Sequence, residues 1–330
     1  MIASIPFSQY NRNFKRTFLS PFSIYKSLSP LSRVSLIIIL ACLLSSIEPT
    51  MIHGSEISML SETQAEPTIV TLAPNLTEII FSLGQGRRII GVTSFDAWPE
   101  SVHKLTKLGG YFNPDIEALL RLKPDMIFML QGRSDLKTRL QKFGFSVWDF
   151  RCETLADIRS TIQQIGNILN LDDKAKEQIE RLDVGLQAAR LTFEPVPKVM
   201  IAIGMTDGVL QNLYVAGGAS FHDDVLEAIG VRNVFSNVNQ AYFAVGRESI
   251  LAAQPDIIID LIPGEPLTEK RRTERAATWS SLGNIPAVRY QRIIMLNDDY
   301  ITIPGPRVIQ IARLFSEHIT SLWKPDHDKP

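Results

Sequence analysis

One phrase occurs twice in this chain, and it constrains the fold more than any other feature. The first copy runs Asn113-Pro-Asp-Ile-Glu117-Ala-Leu-Leu-Arg-Leu-Lys-Pro124-Asp125-Met-Ile-Phe128. The second runs Ala244-Val-Gly-Arg-Glu248-Ser-Ile-Leu-Ala-Ala-Gln-Pro255-Asp256-Ile-Ile-Ile259. In each, a glutamate opens a short helix, which suits the positive end of the helix dipole. Proline then ends the helix and starts a turn. An apolar run follows, of the kind found in buried parallel strands. A second pair of segments, Thr77–Gly84 and Asp224–Gly230, reads as amphipathic helices stopped by glycine. Duplicated helix–turn–strand units predict two similar α/β lobes, each carrying one exposed carboxylate at an equivalent place, with a cleft between them.

The rest of the chain agrees with that frame. Thr68–Leu72 and Arg88–Val92 read as strands around a helix capped by Asn75 or Thr77. Leu136–Phe143 reads as a helix and Ser146–Phe150 as a strand, so the alternation argues for mainly parallel sheets. Residues 154–193 lack proline. Leu155, Ile158, Ile162, Ile165 and Leu169 recur there at helical spacing. A helix from Asp172 to about Phe193 would span roughly 30 Å and bridge the lobes. The second lobe restarts at Lys198–Ile203. The expected boundaries are an export segment at 1–50, a leader at 51–66, the first lobe at 67–171, the bridging helix at 172–193 and the second lobe at 194–330.

The N-terminus reads as an export signal. Five basic residues (Arg12, Lys15, Arg16, Lys26, Arg33) precede the apolar core Val34–Leu44, which is too short to span a bilayer comfortably. The basic stretch is longer than a signal needs, which leaves a start downstream of Met1 open. Ile39-Leu-Ala-Cys42 resembles a bacterial lipobox, which would place a lipid on Cys42. Leu43 and Leu44 extend the apolar run past it, so cleavage near Gly54 or later, or an uncleaved anchor, are the other readings. With residues 1–50 removed, 29 basic and 34 acidic residues leave a formal charge of −5, which does not suit nucleic acid. Cys152 then has no intramolecular disulfide partner, and no cysteine cluster site is possible. The five histidines (His53, His103, His222, His318, His327) are scattered, which disfavours a zinc or manganese site.

An enzyme of the doubly wound class is the reading from a different class. A dehydrogenase calls for Gly-x-Gly-x-x-Gly after the first strand, and Leu72-Ala-Pro-Asn75 lacks it. No Gly-x-Ser-x-Gly elbow is present either. No catalytic residue and no resident cofactor are expected.

Several ordered motifs carry a resemblance over about residues 67–323. They are Thr71-Leu-Ala-Pro-Asn-Leu-Thr-Glu-Ile-Ile80, Ile90-Gly-Val-Thr93, the Trp98-Pro99 loop, Ile116–Asp125 and Tyr214-Val-Ala-Gly217. Together they resemble the periplasmic-binding-protein family that serves vitamin B12 and iron–siderophore ABC importers, and within it the vitamin B12 binders. The resemblance implies two Rossmann-like lobes joined by a long helix, a ligand in the cleft, and a likeness at Phe95, Trp98, Tyr111, Tyr214, Tyr242 and Tyr300 to aromatic ligand contacts. Such rings suit a corrinoid, broad and apolar on its faces. Tyrosine stands where the B12 binders often carry tryptophan, and Leu130 replaces one ring. A ferric siderophore is therefore an alternative cargo, as is haem, whose iron a phenol can ligate. By the same resemblance Glu117 and Glu248 would dock on arginine pockets of a permease dimer. Arg307 in Pro304-Gly-Pro-Arg307 would either contact an anionic ligand or pair structurally. The expected protein is a monomeric receptor in the periplasm, held at the membrane, if at all, by a lipid or signal anchor.

Overall fold

The computed structural model describes residues 66–205, 210, 213–264 and 266–323. The export segment, Cys42, His53 and His327 lie outside them. No helix among the described residues is long and apolar enough to cross a membrane.

The apolar runs form two sheets. In the first, β1 (Ile69–Thr71), β2 (Ile89–Val92), β3 (Thr106–Lys107), β4 (Met126–Leu130) and β5 (Val147–Phe150) lie in the order β3-β2-β1-β4-β5. Every pairing in it is parallel. Helices α1 (Pro74–Ser82), α2 (Ile116–Leu122) and α3 (Ser134–Lys142) make the crossovers, as parallel pairing requires. Two further helices, α4 (Leu155–Ile168) and α5 (Asp172–Ala188), lead to the second sheet.

That second sheet contains β6 (Lys198–Ile203), β7 (Leu213–Ala216), β8 (Arg232–Asn233), β9 (Tyr242–Val245), β10 (Ile257–Leu261) and β11 (Ile293–Leu296). Its order is β11-β10-β6-β7-β9, with β8 beside β6. The β11-β10-β6 half is parallel, whereas β7 and β9 run antiparallel. Helices α6 (Phe221–Ala228), α7 (Arg247–Ala253), α8 (Glu269–Ser280), α9 (Pro286–Arg289) and α10 (Val308–Leu322) complete the chain.

Alternate strand residues enter different cores, as a period of two dictates. Val70, Ile127 and Met129 face one side of the first sheet with Leu119, Leu136 and Leu140. Met200, Ala202 and Ile258 face the outer side of the second with Trp279 and Leu282. The remaining faces share one core. It runs from Ile69 and Phe128 through Ile158 and Ile162 on α4 and Leu182 on α5 to Val199, Ile259 and Phe315. Packing of that density resists wide relative motion of the sheets.

The helical spacing of residues 155–169 is α4, and the bridging helix expected over 172–193 is α5, which ends early at Ala188; the two pack as a helical hairpin. Gly166 and Ala175 form a close contact within it, where an added Cβ would lie 2.5 Å from that of Ala175. Helix α5 stops at Ala188 because the Leu191 amide leaves to bond the Ile229 carbonyl at 2.8 Å. Its 17 residues cover about 25 Å. Helix α5 packs against α6 and α10 of the second lobe, with its Lys174 beside Gly84 of the first, and α4 packs against α1 and α6. Helix α4 is held by a capping box of Thr154 and Asp157 and by the Leu155 amide on Asp224 Oδ2 at 2.7 Å. Helix α1 also differs at its start. Pro74 opens it after Ala73, without a side-chain cap. Thr77 instead bonds Thr71 across 2.6 Å, and the Asn75 amide reaches the Pro304 carbonyl of the other lobe at 3.3 Å.

Asp260 sits fully buried in β10. Arg275 binds it in a fork at 2.8 and 2.6 Å, and Trp279 Nε1 adds a bond at 2.9 Å. Arg275 also holds the Met205 carbonyl at 3.0 Å, which anchors the segment leaving β6.

Candidate ligand-binding cleft

The duplicated phrase is duplicated in three dimensions. Glu117 and Glu248 occupy the second position of α2 and α7, seven-residue helices that each end on a left-handed residue, Lys123 (φ 49°) and Gln254 (φ 46°). The aspartate of each Pro-Asp pair then braces a neighbouring strand. Asp125 Oδ2 accepts from the Thr68 amide at 2.7 Å, and Asp256 Oδ2 from the Lys198 amide at 2.9 Å. The helix start is capped by Asp115 in the first copy but by Gly246 without a side-chain bond in the second. Both glutamates are exposed, and Glu117 keeps only a long 3.9 Å contact to Arg121.

In open α/β sheets ligands bind beyond the carboxyl ends of the strands. Three of the candidate aromatics sit on such loops of the first lobe. Phe95 and Trp98 follow β2 and are exposed by 65% and 50%, unusual for large rings without a partner. Tyr111 follows β3 and packs edge-on to exposed Phe112, with ring centres 5.1 Å apart. Arg133 lies over both rings, at 5.9 Å and 5.2 Å. Burial raises the Tyr111 phenol pKa, and the Arg133 charge opposes that rise. Tyr111 also borders a recess of about 430 Å³ with Leu130, Gln131, Gly132, Phe150, Arg151, Cys152 and Glu153. Cys152 is a buried free thiol there, its pKa pushed up to about 11 by burial.

In the second lobe, Tyr214 pairs with Ala244 and Ala216 with Tyr242. Tyr214 and Tyr242 are therefore diagonal neighbours on one exposed face of the β7–β9 ribbon. The Tyr242 hydroxyl does not point to solvent. It meets Nδ1 of fully buried His222 at 2.9 Å, while His222 Nε2 lies 2.8 Å from the Ile301 carbonyl. A carbonyl only accepts, so Nε2 carries the hydrogen, and in a neutral imidazole Nδ1 must then accept from Tyr242. Burial lowers the His222 pKa to about 4, consistent with the neutral ring. It also raises the Tyr242 phenol pKa, with Glu153 of the first lobe adding to the rise. His222 thus joins Tyr242 to the loop that carries Tyr300.

Arg307 joins the lobes. Its Nε and Nη2 bind Glu78 of α1 at 3.0 and 2.7 Å, and Nη1 binds Asp299 at 3.0 Å. The guanidinium lies 5.6 Å from the Trp98 ring and 5.2 Å from the Tyr300 ring, within cation–π range. It therefore brings one candidate ring from each lobe together. Of the two roles open to Arg307 in the sequence, the geometry is that of structural pairing. Glu78, Asp299, His222 and Phe112 were not singled out as site residues from sequence. Only Phe112 carried a signal, as an aromatic between Tyr111 and a proline-bearing loop.

A family model for a periplasmic binding protein matches residues 69–300. The vitamin B12-binding protein of Vibrio vulnificus is 25% identical over 264 residues, covering 78% of this chain and 93% of that protein. An uncharacterized ABC transporter substrate-binding lipoprotein of Bacillus subtilis is 24% identical, covering 76% and 79%. Among solved structures, a possible iron-binding solute-binding protein of Staphylococcus epidermidis superposes with a TM-score of 0.66 at 25% identity, covering 76% and 98%. The periplasmic haem-binding protein of Vibrio cholerae does so at 0.64 and 22%, covering 79% and 100%. The fold they share is that of two α/β lobes, and relatives of this kind bind solutes for transporters and are not enzymes. This chain belongs to the periplasmic binding protein family.

Proposed function

We propose that the chain is the exported substrate-binding component of an ABC importer and that it carries a corrinoid, cobalamin, between its lobes. The observation that carries this reading is the set of rings on both sides of the Arg307 junction: exposed Phe95 and Trp98 with half-buried Tyr111 from one lobe, exposed Tyr214 and Tyr242 with half-buried Tyr300 from the other. Stacking surfaces of this kind suit a wide apolar ring. The shared core supports binding with modest closure. Glu117 and Glu248, exposed on matching helices, would engage two permease subunits of an importer dimer. Calorimetry with cobalamin tests the cargo: a dissociation constant on the order of nanomolar to micromolar is expected. Absence of heat with cobalamin, together with saturable haem or siderophore binding, would overturn it.

Ferric chelates are the second reading, and Tyr111 is what favours it. Its phenol borders the recess of the first lobe, where a phenolate would ligate ferric iron, and the Arg133 charge offsets part of the pKa rise that burial causes. Tyr242 is a poorer iron ligand, because its proton is held against buried His222. Export would proceed by removal of residues before about 42–55, with Cys42 as the lipid site if the lipoprotein form is made. Mass spectrometry of membrane and soluble fractions separates these outcomes, and an intact Met1 on a cytoplasmic protein would refute export.

A further inference from the structure

Among the described residues, the charges where the two lobes meet at Arg307 are already committed, and two carboxylates face one guanidinium. Arg307 spends its guanidinium on two carboxylates, Glu78 from the first lobe and Asp299 from the second. Trp98 and Tyr300 cover it. Swinging Arg307 toward a ligand would strand Glu78, whose side chain is 2% exposed, as an unpaired buried carboxylate, a costly state. Asp299 reaches the same guanidinium from a half-exposed position. Asp298 opposes ionisation of Tyr300, against the Arg307 charge, and Glu153 opposes that of Tyr242. The nearby cations are occupied. Arg151 pairs with Glu153 at 2.8 Å and Asp157 at 3.4 Å. Lys107 binds the Asp96 carbonyl at 2.9 Å. Arg133 binds the Phe112 carbonyl at 3.0 Å and approaches Asp135 at 3.7 Å. Its Nη1 has no partner but is closed off from solvent.

We infer that Glu78, Asp299 and Arg307 act as a charge filter at the cleft floor, admitting neutral or cationic amide-edged macrocycles and rejecting polyanionic chelates. The inference deepens the reading of the cleft as a chelate site and rests on it. The aromatic walls give area to any flat ligand, whatever its charge. Discrimination must then come from the edges. A ligand carboxylate or catecholate brought beside Tyr300 meets Asp298 and Asp299 and finds no free guanidinium to form a fork. An amide edge carries no charge and meets no such repulsion.

The test measures three ligands on the mature chain by fluorescence quenching: neutral cyanocobalamin, haemin with its two propionates, and a trianionic ferric tricatecholate. Wild-type protein should bind cyanocobalamin at least tenfold more tightly than either anion. Added salt should strengthen anion binding, because screening weakens repulsion. Asp299→Asn, at a half-exposed side chain, should raise the ratio of haemin to cyanocobalamin affinity at least tenfold, and Glu78→Gln combined with it should raise the ratio further. Equal wild-type affinity for an anion, weakening of anion binding by salt, or an unchanged ratio in Asp299→Asn would overturn the filter. If cyanocobalamin does not bind at all, the corrinoid reading falls by itself. The filter is then judged on haemin alone: a gain in Asp299→Asn upholds it, and no gain overturns it.

Discussion

Replacing His222 by glutamine should remove a specific acid sensitivity from the fold. The imidazole is fully buried between the Ile301 carbonyl and the Tyr242 hydroxyl. Its pKa falls from the ordinary 6.5 to about 4, chiefly through burial. Between those values the unfolded chain binds a proton that the folded chain refuses. The His222 contribution is therefore fully present above pH 6.5 and is lost as pH falls toward 4. A fall from 6.5 to about 4 corresponds to about 3 kcal/mol. Burial raises the pKa of Glu78 and Asp96, so their contributions change with pH in the opposite sense, and both are shared by wild type and variant. The amide of glutamine offers one donor and one acceptor at every pH. Urea denaturation of both proteins between about pH 7 and pH 4 should show the wild type losing roughly 3 kcal/mol relative to His222→Gln. A stability difference that stays constant across that range would refute the neutral, committed imidazole.

Four further outcomes can be measured. Trp98→Ala or Tyr242→Ala should weaken cobalamin binding about tenfold or more, since about 1.4 kcal/mol is a decade. Tyr242→Phe should cost the ligand less than Tyr242→Ala, because the hydroxyl faces His222; calorimetry compares them. Arg275→Met leaves Asp260 buried without its fork and should destabilise the fold by about 3–5 kcal/mol in denaturant titrations. Glu117→Ala and Glu248→Ala should each slow uptake strongly in cells while leaving ligand affinity near wild type, since losing one side of a desolvated arginine pair costs about 2–5 kcal/mol. A double variant that still supports full uptake would end the docking idea.

The parts of this fold that were legible are those governed by local chemistry. Met126–Leu130 and Ile257–Leu261 form strands because apolar runs, broken only by Asp260, are covered on both faces. Gly84 and Gly230 stop helices at positive φ, +77° and +85°, which a glycine tolerates. What the sequence could not disclose depends on partners far apart in the chain. Helix α5 ends where Leu191 finds Ile229, a contact no window of residues announces. The Glu78–Arg307 pair joins positions 229 residues apart. His222 looked like one scattered histidine among five, and only the packing of Tyr242 and Ile301 around it reveals its place. The antiparallel β7–β9 ribbon was hidden for a similar reason. Its short runs carry no mark of direction, and one edge of β6 takes both parallel β8 and antiparallel β7.

Cargo is the central claim, and direct retention tests it. The mature chain is incubated in separate samples with cyanocobalamin, haemin and a ferric siderophore, then passed through gel filtration and read by absorbance. Near-equimolar cobalamin eluting with the protein is the predicted result. Protein that elutes without cobalamin while retaining haemin or the siderophore would contradict the corrinoid assignment.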